Sequence, residues 1–135
     1  MAQIHPPVNG IHEAALYVDD LAEAERFWRR LGLQLITRDE GRHVFFRIGR
    51  DLLLCFNAAA TRDGGRVPAH GAEGPGHVAF DVPDLEALDR WRAFLEMAGI
   101  DVEAELDWPA GGRSLYFRDP AGNSIELITR GAWGF

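Results

Sequence analysis

Two stretches of the chain carry the same alternation of apolar and polar positions. "GIHEAALYVDDLAEAERFWRRLGLQL" (residues 10–35) and "GHVAFDVPDLEALDRWRAFLEMAGIDV" (76–102) each begin with a strand-like period of two. Each then changes at an aspartate to a helix-like spacing of three and four, and stops at a glycine. Val18, Asp20 and Leu21 fall on Val82, Asp84 and Leu85 at one constant offset. Asp20 and Asp84 suit N-caps, whose side chains accept from the free N–H groups of a first helical turn. The apolar faces are Leu21, Ala24, Trp28 and Leu31 in one helix, and Leu85, Leu88, Leu95 and Ala98 in the other. Gly32 and Gly99 follow, where a positive φ ends a helix cheaply.

Short strand-like runs come after each helix: "LQLI", "HVFFRI" and "DLLLCF", then "VEAEL", "SLYF" and "SIELIT". Turn signals separate them, "DEGR" and "IGRD" in the first half, "WPAGGR" and "DPAGN" in the second. The pattern predicts an α+β fold of two β-α-β-β-β modules, about residues 10–57 and 76–130, within one domain spanning 1–135. A module of about 50 residues cannot close its own core, so two must pair. Residues 58–75, rich in Gly, Ala and Pro, read as a linker long enough to have a role of its own.

Composition narrows the partners. A formal net charge of −7 argues against nucleic acid. No apolar run approaches the roughly 20 residues of a membrane span. The single cysteine, Cys55, cannot form an internal disulfide, and residues 1–20 lack the pattern of a signal peptide. A cytoplasmic protein with a small-molecule partner is expected.

Candidate chemistry comes from the repeat. The offset that aligns the modules places Glu13 on His77. Strand alternation puts Glu13, Ala15 and Tyr17 on one face and the more apolar set of His12, Ala14, Leu16 and Val18 on the helix side. By the same rule His77 shares the open face of the second module with Glu126, because Ile125 and Leu127 belong to the helix side. Aligning Gly122 with Gly49 puts Leu53 at the position matching Glu126. Two carboxylates and one imidazole on a sheet face suit a divalent first-row cation with positions left for substrate. A one-residue slip would substitute His12 for Glu13. Tyr116 is a candidate donor to a substrate oxygen, and His43, Arg47, His70, Trp108 and Arg118 are candidate pocket residues.

The paired modules, "LYVDDLAEAERFWRRLGL", "GPGHVAFDVPDL" and above all "LYFRDPAGNSIEL" resemble the vicinal oxygen chelate superfamily of glyoxalases, bleomycin resistance proteins and dioxygenases. The resemblance implies mixed or antiparallel sheets curled into cups, helices on the outer face, and a divalent metal (Mn, Fe, Ni or Zn) between the cups. It implies Glu13, His77 and Glu126 as ligands, with Leu53 where some relatives have a fourth. Tyr116 and Glu126 become the candidate catalytic residues of a metal-dependent lyase, thiol transferase or dioxygenase acting on a substrate chelated through vicinal oxygens. The alternative is a metal-free binding protein of the bleomycin-resistance type. The resemblance also implies a homodimer, with sites that can be shared between chains.

Overall fold

The structure, a computed structural model, describes residues 5–135. The first module contains β1 (Glu13–Tyr17), α1 (Leu21–Arg30), β2 (Gln34–Asp39), β3 (His43–Ile48) and β4 (Asp51–Phe56). A short helix, α2 (Ala58–Thr61), follows inside the segment expected to be a plain linker. Asn57 caps it, its side chain accepting from the Ala60 N–H. The second module contains β5 (His77–Val82), α3 (Leu85–Met97), β6 (Ala104–Asp107), β7 (Arg113–Arg118) and β8 (Ser124–Thr129).

The modules repeat one topology, with strand orders β1-β4-β3-β2 and β5-β8-β7-β6. In each, the first strand pairs parallel to the last, and the other pairings are antiparallel. Both helices start as expected: Asp20 accepts from the Glu23 N–H and Asp84 from the Ala87 N–H. Gly32 and Gly99 end them with φ of +95° and +73°. Leu85, the first residue of α3, departs from the expected core face: it is 49% exposed, while Leu88 and Leu95 are fully buried. Among the described residues no helix is long and apolar enough to cross a membrane.

The helix-side faces of the two sheets share one apolar core. Leu16, Phe46 and Leu53 enter it from the first module, and Leu115, Phe117 and Ile125 from the second. Trp28 meets Phe80 edge to face at 5.5 Å, and Phe27 lies 6.4 Å from Phe117. Full burial of Phe46 and Phe117 contributes about 2–3 kcal/mol each. This shared core fixes the open faces on the other sides of the sheets, where Glu13, His77 and Glu126 stand.

The register corrects one alignment. Glu13 pairs with Leu52 and Ala15 with Leu54, just as His77 pairs with Ser124 and Ala79 with Glu126. Leu54, not Leu53, therefore matches Glu126, and Leu53 points into the core. Aligning the glycines misled because the turns differ in length. Gly49 and Arg50 alone connect β3 to β4, whereas residues 119–123 connect β7 to β8. Each residue of slip exchanges sheet faces.

Candidate metal and substrate site

Period-two alternation brings His77, Tyr116, Glu126 and Ser114 to the open face of the second sheet. Tyr116 pairs with Glu126 across β7 and β8, and His77 begins the neighbouring β5. Glu126 is only 7% exposed, although it is a carboxylate. Its Oε1 lies 3.1 Å from His77 Nε2, and its Oε2 accepts from the Ser114 hydroxyl at 2.5 Å. The Trp108 indole N–H donates in turn to Ser114 Oγ at 2.7 Å.

The histidine's other nitrogen determines what this pair can hold. His77 Nδ1 is 3.0 Å from the Ser124 carbonyl oxygen, which can only accept, so Nδ1 carries the proton. In the neutral ring the Nε2 lone pair then faces a carboxylate oxygen. Two acceptors directed at each other need a proton or a cation between them: a doubly protonated ring pairs with the carboxylate directly, and a metal ion takes the same place when the ring is neutral. An imidazole nitrogen and a carboxylate oxygen suit a borderline divalent cation, and an Nδ1–H donated to a backbone carbonyl is the usual support of a metal-ligating histidine.

Around the pair, His77, Trp108, Tyr116, Glu126, Trp133 and Phe135 line part of a cavity of about 330 Å³. Trp108 and Trp133 lie 5.4 Å apart, and Asp81 pairs with Arg130 at 3.1 Å on the same wall. Burial, and after it the charge of Glu126, pushes the Tyr116 phenol above its ordinary value. At neutral pH it is a protonated donor.

Glu13 stands apart from this pair. It lies exposed at the start of β1, an edge strand of the first sheet. Among the described residues, no three His, Cys, Asp or Glu side chains are grouped to hold a metal ion. A single chain thus brings together two of the three expected ligands. His12 lies just outside β1, exposed, with its carbonyl accepting from the Leu52 N–H.

The remaining pocket candidates divide between the two sheets. His43 stacks on Phe45 at 4.0 Å and meets Phe56 edge to face, on the open face of the first sheet. Burial lowers the pKa of His43, which favours the neutral ring. His70 reaches the same aromatic cluster from the linker, its Nδ1 2.7 Å from the Tyr17 hydroxyl. Arg47 is exposed and donates to the Gly49 carbonyl. Arg118 pairs with Glu103 at 2.8 Å and does not line the second-module cavity. Only Trp108 of these five joins His77 and Glu126. Ser114 escaped sequence reasoning, although its place two residues before Tyr116 puts it on the same strand face.

Two four-stranded mixed sheets of β-α-β-β-β topology, with a polar pair in the open face of one, define a glyoxalase-type fold. The model of the Glyoxalase/Bleomycin resistance protein/Dioxygenase superfamily matches residues 10–127, and the chain belongs to that superfamily. A crystal structure of lactoylglutathione lyase from Agrobacterium tumefaciens is 41% identical, with a TM-score of 0.92, covering 96% of this chain and all (100%) of that one. A glyoxalase/bleomycin resistance protein/dioxygenase from Nocardioides is 26% identical, with a TM-score of 0.72 over 93% of this chain and 86% of its own. A protein of the same description from Alicyclobacillus acidocaldarius shares the fold at 20% identity, with a TM-score of 0.66 over 90% and 91% of the two chains. No curated protein matches significantly.

Proposed function

We propose that the protein is a metal-dependent enzyme of the lyase type, acting on a small substrate chelated through two neighbouring oxygens. The observation that carries this reading is the His77–Glu126 pair, an imidazole Nε2 3.1 Å from a buried carboxylate oxygen with the ring's Nδ1 tied to the Ser124 carbonyl. His77 and Glu126 hold a divalent ion in this reading, and Glu13 of a second copy completes the set, which makes the working unit a homodimer. The exposure of Glu13 on an edge strand and its separation from the pair within one protomer support that arrangement. When bound, the metal supplies Lewis acidity that stabilises negative charge developing on substrate oxygen. Glu126 accepts or returns a proton at the neighbouring carbon, Tyr116 donates a hydrogen bond to substrate oxygen, and Trp108 and Trp133 supply apolar wall to the cavity. The Agrobacterium tumefaciens relative makes lactoylglutathione the first substrate to assay.

The test is to strip the protein with a chelator, reload it with Mn, Fe, Ni or Zn, and follow metal content and lactoylglutathione turnover. One ion bound per chain, with binding abolished in His77→Ala and Glu126→Gln, is expected. Mixing Glu13→Gln with Glu126→Gln chains should restore part of the activity that each lacks. If wild-type protein takes up no metal yet still binds planar aromatic compounds, the metal-free binding reading replaces this one.

A further inference from the structure

We infer that Ser114, held by Trp108, is a positioning residue that determines which oxygen of Glu126 is offered to the site. Ser114 is fully buried, and its hydroxyl contacts two side chains. An indole N–H can only donate, so Ser114 Oγ accepts from Trp108 and its one proton goes to Glu126 Oε2. The direction of the chain is therefore fixed, from Trp108 N–H to Ser114 O–H to the carboxylate. A hydrogen bond to an ionised acceptor is among the stronger kinds. It occupies Oε2 and leaves Oε1 facing His77 Nε2.

The consequence is a carboxylate that binds through one oxygen. Gripping an ion with both oxygens would consume a coordination position that a chelated substrate needs, so Ser114 keeps that position open. Trp108 takes part twice, since the ring that anchors Ser114 also lines the cavity. The orientation of Glu126 stands on geometry alone, while its purpose rests on the metal-dependent reading above.

The experiment uses metal-free full-length protein titrated with Co²⁺, whose visible spectrum reports ligand number and geometry. Wild type, Ser114→Ala, Ser114→Thr and Trp108→Phe are compared, with thermal unfolding of each measured separately. Removing a partner that orients a ligand typically costs about 10–100-fold in metal affinity, and that loss with an altered spectrum is expected for Ser114→Ala. Ser114→Thr, which keeps the hydroxyl, should restore both, and Trp108→Phe should fall between. Unchanged affinity and spectrum in Ser114→Ala would overturn the inference, even if its melting point drops. If wild type binds no Co²⁺, the metal reading fails by itself. Crystal structures of metal-free wild type and Ser114→Ala then decide the positioning role: a turned Glu126 carboxylate in the variant upholds it, and an unmoved one refutes it.

Discussion

Replacing Asn123 with alanine removes a buried carboxamide that ties the start of β8 to the first module. Asn123 is 1% exposed. Its Nδ2 donates to the Tyr17 carbonyl at 3.1 Å and to Asp119 Oδ2 at 2.9 Å, and its Oδ1 accepts from the Gly76 N–H at 2.7 Å. The backbone bond from Asn123 N–H to Asp119 Oδ1 survives the substitution. Three lost bonds at about 1 kcal/mol each set the scale; water reaching the exposed Gly76 lowers it, and the buried Asp119 losing a partner raises it. A net loss of about 2–3 kcal/mol follows, or a fall in Tm of roughly 6–9 °C for a domain of this size.

The loss also depends on pH. Burial holds the Asp119 carboxyl above its ordinary value, and the Asn123 side chain is the first of the bonds that pull it back. In Asn123→Ala the folded-state value rises further. Between the unfolded and the raised folded value the native state holds the extra proton, so stability falls as pH rises through that window. The deficit of the variant should accordingly be smaller at about pH 4 than at about pH 7.5. Urea unfolding at both values measures it. A loss below about 1 kcal/mol, or a deficit larger in acid, would refute the reasoning.

Two further outcomes follow from the core. Trp28 is fully buried, and its indole N–H has no acceptor among the described residues. Trp28→Phe should therefore cost less than about 1.5 kcal/mol in denaturant unfolding, against about 3–5 kcal/mol for Trp28→Ala, because the phenyl ring keeps most of the packing and discards an unpaired donor. Cys55 is fully buried, and burial pushes its thiol up to about 12. It should resist thiol reagents in the native state and react only as fast as the protein unfolds, as a labelling time course alongside circular dichroism would show.

Local periodicity determined most of the architecture. The two modules, the Asp20 and Asp84 caps, the Gly32 and Gly99 stops and the open-face positions of His77 and Glu126 all follow from spacing and backbone preference, which act within a few residues of the chain. Features set between strands were less accessible. The register that makes Leu54 the counterpart of Glu126 depends on turn lengths that differ between the modules, and the way α3 packs leaves its first residue, Leu85, exposed. The hydrogen bonds from Trp108 through Ser114 to Glu126, and the one between Tyr17 and His70, join residues that no local pattern pairs. Tertiary structure alone separates Glu13 from His77 and Glu126 within the chain, because the shared core packs the helix-side faces together and fixes each open face on the far side of its sheet.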